Sequence, residues 1–197
     1  MRLVRFQRYL LGIKTGKGKK MKFKCAVAVI AALVAVLVLP FSVCRADPAT
    51  EKSINDLVSQ MTLEEKVKLT AGKDMDTFPI ARLGIPAIKM TDGPVGVRFG
   101  QSVCFPASIS MAASWDEGLL NKVGQALARE AKGKGRNMLL APCINIHRAP
   151  MGGRNFESFG EDPYLSGRMA VAYIKGVQGE KVIATVKHYA VNNQEWD

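Results

Sequence analysis

Apolar and polar positions along this chain switch between two periods. From Ser53 to Thr70, the residues Ile54, Leu57, Val58 and Met61 recur at helical spacing and predict a helix with one buried face. Thr62-Leu-Glu-Glu65 inside that stretch is a capping box, so a second helix can begin there instead of the first continuing. Arg82-Leu-Gly-Ile-Pro86 predicts a turn into a short strand, Ala87 to Met90, which delivers Asp92 at its end. Gly93, Pro94 and Gly96 then forbid regular structure. Ser114-Trp-Asp-Glu117 is another capping box and predicts a helix through Ala131, ended by Gly133 and Gly135. Its buried stripe is Leu119, Leu120, Val123, Ala126, Leu127 and Ala131. Met138 to Ile146 is apolar enough for a strand buried on both faces, with Asn145 and His147 emerging at its end. Asp162-Pro163 reads as an N-cap followed by proline at the first helical position, opening a helix to about Val177 that Gly176 and Gly179 stop. Lys181 to Val186 predicts the next strand, and Lys187-His188 follows at once.

Strand, polar loop, helix, strand, polar loop is βα repetition, so the fold class is α/β. The polar residues gather just after the strands. That is the arrangement of a (β/α)8 barrel with its site on the C-terminal face. An open doubly wound sheet would place a site similarly, but no Gly-x-Gly-x-x-Gly follows a strand, so a dinucleotide is not expected.

Charge at first changes this picture and then does not. A net charge of +11 invites a nucleic-acid or membrane reading. Residues 1–46 hold ten of the 28 Lys and Arg and none of the 17 acids, which leaves 18 basic against 17 acidic groups in residues 47–197. The basicity belongs to a leader, and no nucleic-acid partner is expected. The leader has the parts of a secretory signal: Lys22 and Lys24, an apolar run of 14 residues from Ala26 to Leu39, Pro40, and a small-x-small site at Cys44-Arg-Ala46. The run falls short of the roughly 20 apolar residues of a spanning helix. Two domains are therefore expected: a leader over 1–46, with Met21 as the expected true start and cleavage after Ala46, and a mature domain over 47–197 that is secreted or periplasmic. Gly16–Lys20 lacks the phosphate-loop spacing. Cys25 and Cys44 leave with the leader. Cys104 and Cys143 remain, each in an apolar context; two buried free thiols is the favoured reading over a disulfide, and no zinc-type spacing exists.

The polar residues after the strands each carry two readings. Lys187 and His188 suit a ligand dense in hydroxyls, the one with three donors and the other with a donor and an acceptor; the plainer reading is a Lys on a buried carboxylate and a His satisfied by backbone. Gly152-Gly-Arg-Asn-Phe-Glu157 presents Arg154 as a planar fork on a sharp turn, or ties Arg154 to Glu157 or Glu161. Asp92 either makes a turn or accepts vicinal hydroxyls, with Arg98 six residues on to support it. Asp162 reads as a helix cap, Glu161 as first-turn charge and Glu157 as a partner of Arg154, so none of the three is taken as an acid or nucleophile.

Long ordered motifs then point further. Met61-Thr-Leu-Glu-Glu-Lys-Val67, Thr91-Asp-Gly-Pro-Val-Gly-Val-Arg98, Asn145-Ile-His-Arg-Ala-Pro-Met-Gly-Gly-Arg-Asn-Phe-Glu-Ser-Phe-Gly-Glu-Asp-Pro163 and Lys187-His-Tyr189 with Asn193-Gln-Glu195 resemble the family 3 glycoside hydrolases, the β-glucosidases and their relatives. The resemblance runs from about Ser53 to Asp197 and implies the N-terminal portion of a (β/α)8 barrel, truncated. It implies that the residues matching Asp92, Arg154, Lys187 and His188 line the subsite that grips the non-reducing terminal sugar, with Arg98 beside it. The Asn193-Gln-Glu195 ending looks like the β-glucosidase branch. The expected ligand is a β-glucoside or a short β-linked oligosaccharide, with no metal or cofactor.

The family's retaining mechanism uses two carboxylates about 5–5.5 Å apart. The resemblance implies an Asp nucleophile and a Glu acid/base on segments beyond Asp197, so no catalytic residue is expected within this chain. The piece alone is expected to be inactive and, with unpaired sheet edges, unstable. The alternatives are a β-xylosidase or broad exo-glycosidase, and a sugar-binding fragment without catalysis.

Overall fold

A computed structural model describes residues 47–189 and 192–195. The leader, with its expected start at Met21 and cleavage at Ala46, lies outside the described residues. The chain divides into two units between Ser53 and Ile54. Of the first, residues 47–53 are described: the Asp47 carboxylate accepts from the Ala49 amide at 2.9 Å where α1 (Pro48–Gln60) begins.

The predicted run over Ser53–Thr70 is broken in two, because the capping box is fully made. Thr62 Oγ1 accepts from the Glu65 amide at 3.2 Å, and Glu65 Oε2 accepts from the Thr62 amide at 2.9 Å, opening α2 (Leu63–Ala71). Of the predicted apolar face Met61 is buried, whereas Ile54, Leu57 and Val58 stay exposed. The first strand, β1, is Met90–Asp92, three residues later than predicted. Residues 87–89 are engaged elsewhere: the Thr77 amide donates to Ile88 O at 2.9 Å, and Lys89 bridges antiparallel to Asp76.

After α3 (Ser108–Ala112), the long helix α4 (Glu117–Gly133) is capped by Asp116, whose carboxylate accepts from the Leu119 amide at 3.0 Å. Ser114 does not serve as the cap: its hydroxyl donates to Met111 O at 2.7 Å and accepts from the Asp116 amide at 3.2 Å, one turn ahead of the helix. The buried stripe is correspondingly rotated: Leu120, Val123, Leu127 and Ala131 are inside as predicted, Leu119 is exposed, and Gly124 and Ala128 are buried. The expected strand over Met138–Ile146 is cut into β2 (Met138–Leu140) and β3 (Cys143–Ile146). Pro142, which has no N–H to donate, follows a cis peptide at the break. β4 (Ser158–Gly160) precedes α5 (Pro163–Gly179), which Asp162 caps through the Leu165 amide at 2.8 Å. β5 is reduced to Ile183–Ala184.

Every described strand pair is parallel, in the orders β1-β2-β5 and β3-β4. Asp92 lies opposite Leu140, and Leu139 opposite Ala184. Beyond β5 the chain keeps running beside the broken strand: Lys187 N donates to Pro142 O at 3.0 Å, and Ile144 N donates to Lys187 O at 2.8 Å. The ends of β1, β3 and the Lys187 segment are thereby brought side by side. Among the described residues no helix is long and apolar enough to cross a membrane.

The core lies between this sheet and the pair α4–α5, with Leu120, Leu127, Leu139, Phe159, Tyr173 and Val177 fully inside. The Tyr173 ring meets Phe159 edge-on, and its hydroxyl donates to Pro94 O at 3.2 Å, tying α5 to the loop after β1. Gly176 does not stop α5, as the pattern implied. It is the point of backbone contact between the helices: a Cβ there would sit 2.1 Å from Asn121 O, and one at Gly124 would sit 2.4 Å from Tyr173 O. Gly176→Ala should therefore destabilise the protein by about 1–3 kcal/mol through overpacking. Gly167→Ala, on the same helix with nothing within 4 Å of an added Cβ, should stabilise it by about 0.5–1 kcal/mol through helix propensity. Denaturant midpoints check both signs; equal effects at the two positions would contradict this packing.

Candidate functional site

Asp92 ends β1, and its Oδ1 accepts from the Gly93 amide at 3.0 Å. Gly93 has φ 139°, and a Cβ there would lie 1.9 Å from Gly96 O, so only glycine makes this turn. The Arg98 amide donates to Asp92 O at 3.0 Å, folding the loop back and setting the exposed Arg98 guanidinium 3.5 Å from Asp92 Oδ2. From the other side of the sheet, Lys187 Nζ donates to Asp92 Oδ1 at 2.6 Å. The same ammonium lies 3.3 Å from Oε2 of Glu157. Glu157 is 3% exposed and also accepts from Arg154 Nε through Oε1. Arg154 Nη1 is 4.0 Å from Glu195. His188 lies behind Lys187, its Nδ1 2.9 Å from Asn145 Nδ2 and 3.8 Å from Cys143 Sγ.

All five nominated residues, Asp92, Arg98, Arg154, Lys187 and His188, line one cavity of about 550 Å³. Among the described residues, Met75, Phe99 and Leu140 complete the lining. Lys187 and Arg154 are paired with carboxylates, as the plainer reading required, and they still face the cavity. Glu157 orients both cations from beneath and does not line the cavity, while Asp162 is a helix cap. Cys143 is buried with its thiol 2.8 Å from Ser158 Oγ. Cys104 is exposed, which corrects the expectation of a buried thiol, and both cysteines are free.

Phe99, Met75 and Leu140 were missed in the sequence. Phe99 left one signal, its place between Arg98 and Gly100; in the structure it adopts φ 77°, a region that bulky residues avoid. The Arg136 guanidinium lies 4.6 Å from its ring centroid, and Arg136 Nη1 is 2.5 Å from Asp76 Oδ1. Met75 left none, because only the pairing of residues 75–77 with 88–90 brings it near. Among the described residues no group of three or more His, Cys, Asp or Glu could hold a metal ion.

Burial pushes the Asp92 carboxyl up, but the Lys187 hydrogen bond and charge, the Gly93 amide and Arg98 outweigh it, so Asp92 titrates below its ordinary range. His188 is pushed down, first by burial and then by the Arg154 and Lys187 charges, against the weaker pull of Glu157 and Glu195. The site therefore offers an ionised carboxylate, two fixed cations and a neutral imidazole beside three apolar side chains. That is a set for orienting a hydroxylated ring by its edge while its C–H face rests on apolar surface.

An α/β domain that builds a polar cavity across the C-terminal ends of its parallel strands is the class defined by this fold and site. The chain belongs to glycosyl hydrolase family 3, with residues 39–195 matching the family's N-terminal domain. It is 49% identical over 158 residues to beta-glucosidase B of Emericella nidulans, covering 77% of this chain and 18% of that protein. It is 48% identical over 156 residues to thermostable beta-glucosidase B of Acetivibrio thermocellus, covering 72% and 21%. The structure of beta-glucosidase 3B from Thermotoga neapolitana in complex with glucose is similar with a TM-score of 0.68 at 41% identity, over 72% of this chain and 24% of that one. The chain spans about a fifth of the length of the curated relatives it matches.

Removing Lys187 leaves Asp92 and Glu157 facing each other's charge with little water. Lys187→Met should cost about 3 kcal/mol, and Glu157→Gln in the same chain should return part of it. A double-mutant cycle by urea unfolding reads the coupling, and strict additivity would mean that the ammonium does not bind them. The lowered His188 value also has a sign. Between its folded value and the ordinary 6.5, the unfolded chain holds more protons, so stability falls as pH drops through that window. His188→Gln should flatten the loss of urea midpoint on acidification below about pH 6.5; an unchanged slope would place that titration elsewhere. The Asp92 contribution is lost only at lower pH, below the ordinary 3.8.

Proposed function

We propose that this cavity is the subsite that holds the non-reducing terminal glucose of β-glucosides in a retaining exo-glycosidase. The convergence of Asp92, Arg98, Arg154, Lys187 and His188 on one cavity carries the reading. Asp92 accepts from vicinal hydroxyls, Lys187 and Arg154 donate to sugar oxygens, and Met75 and Leu140 meet the ring's apolar face. The similarity to proteins named beta-glucosidases, one of them in complex with glucose, supports this ligand over a pentose. The chemistry needs two carboxylates about 5–5.5 Å apart, one as nucleophile and one as acid/base. Asp92 and Glu157 are both engaged by Lys187, so we assign the reacting pair to segments outside residues 47–195. In such an enzyme the groups gathered here act by orientation, and contacts that tighten as the ring flattens toward an oxocarbenium ion would raise rate as well as affinity.

The same reading takes the parallel strands β1, β2 and β5 with their intervening helices as the first part of a (β/α)8 barrel, and takes residues 1–46 as an export signal cleaved after Ala46. N-terminal sequencing of the mature protein tests the latter. The subsite is tested by calorimetric titration of glucose and xylose into wild type and Asp92→Asn. Glucose should bind more tightly than xylose, and the substitution should weaken it about tenfold to a hundredfold, the worth of a charge-assisted hydrogen bond. Equal glucose affinity in the two proteins would remove the reading.

A further inference from the structure

Asn145 is buried at the end of β3 and touches His188 twice. Its Oδ1 lies 3.3 Å from the His188 backbone N, and its Nδ2 lies 2.9 Å from His188 Nδ1. These two contacts decide each other. A backbone N–H can only donate, so the amide atom facing it is the carbonyl oxygen. The other amide atom is then the NH2, which also only donates. The ring nitrogen that meets it must therefore present a lone pair, and the proton of a neutral imidazole sits on Nε2. The remaining neighbour of Nδ1 is the Cys143 thiol at 3.8 Å, whose sulfur also lies 2.8 Å from Ser158 Oγ and is a weak acceptor at best. Among the described residues Nε2 has no hydrogen-bond partner, while the ring lines the cavity.

We propose that Asn145 is a positioning residue that holds His188 as the Nε2–H tautomer, so that the imidazole offers the cavity a hydrogen-bond donor and never an acceptor. The part that concerns a sugar oxygen rests on the glucose-subsite reading; the tautomer does not. With Lys187, Arg154 and Arg98 also donors, Asp92 is then, among the described residues, the one polar lining side chain that accepts. A ligand seated here must donate to Asp92 and accept from the rest, which orders its hydroxyls by direction as well as position. Protonating Nδ1 would set N–H against the Asn145 amide. The charged groups around the ring are Lys187 on its own segment, Arg154 and Glu157 from the loop before β4, and Glu195.

The test is two-bond nitrogen–proton spectroscopy of the imidazoles in the ligand-free protein at neutral pH. The chain has two histidines, so one His147→Gln sample assigns the signals. The expected wild-type spectrum has an unprotonated Nδ1 and a protonated Nε2 on His188. Asn145→Asp puts an acceptor at Nδ1 and should move the proton there and raise the midpoint of the His188 titration. Asn145→Ala should give a mixture of tautomers and weaken glucose binding about tenfold. A wild-type Nδ1 that carries the proton, or a tautomer and midpoint unmoved in Asn145→Asp, overturns the proposal, and the wild-type spectrum decides even where a variant fails to fold. Retention of the Nε2–H tautomer in a protein that does not bind glucose upholds the role of Asn145 and removes the subsite reading instead.

Discussion

One ammonium group holds the site together. Lys187 reaches Asp92 at 2.6 Å and Glu157 at 3.3 Å, so residues 95 positions apart in sequence share a single buried charge network. Arg98 and Arg154 each pair one of the two carboxylates, and Lys187 reaches both; buried carboxylates that lose a partner cost several kcal/mol. The pairing also fixes geometry. Glu157 is anchored at the foot of its loop by Lys187 and Arg154 together, which leaves Arg154 little freedom to swing away from the cavity. Asp92 is fixed in turn by Lys187, the Gly93 amide and Arg98. The side chains that face the cavity are thus already oriented before any ligand arrives, and the ordering cost of binding is correspondingly small.

That network depends on the sheet being parallel. Only when β1, β2 and β5 run the same way do the turns that follow them open on one edge, and a crossover, here carried by a helix, returns the chain to that edge. The α4–α5 contact enforces the return. Gly124 and Gly176 let the two helices meet backbone to backbone, and Tyr173 hydrogen-bonds the loop that carries Asp92 toward Arg98. The position of Asp92 is therefore set partly by a helix some eighty residues later, a coupling that no local pattern expresses.

This marks what the sequence could and could not say. The cavity-facing Asp92, Lys187 and His188 stand at the ends of predicted strands, and strand-then-polar punctuation is a local signal. The α2 and α5 starts were legible for the same reason, because Thr62 with Glu65, and Asp162 with Pro163, act within one turn. Ser114 was expected to cap α4, yet its hydroxyl accepts from the Asp116 amide and it is Asp116 that accepts from the Leu119 amide. Gly176 reads as a helix stop by its entropy, yet it is a contact whose partner, Asn121, lies in another helix. Met138–Ile146 reads as one apolar strand, although Pro142 cannot take its place in the ladder. Ile54, Leu57 and Val58 keep a helical spacing that promises burial, but period alone does not say what lies opposite.

The residues that were missed share a cause. Asn145, which the strand reading placed but gave no role, and Met75 matter through what they touch on another segment, which their own neighbours in sequence do not announce. Asn145 sits one residue from an apolar strand end like many polar terminators. What distinguishes it is that a backbone amide and a ring nitrogen of the same distant residue meet the two ends of its side chain. Hydrogen-bond direction is then fixed by elimination, since the backbone can play only one role. A charged residue in that place would answer both groups with the same sign and leave the imidazole ambiguous, whereas an amide, with one donor end and one acceptor end, separates them. The neutral polar residue carries the more specific instruction, and it could be read only once the fold had supplied its partner.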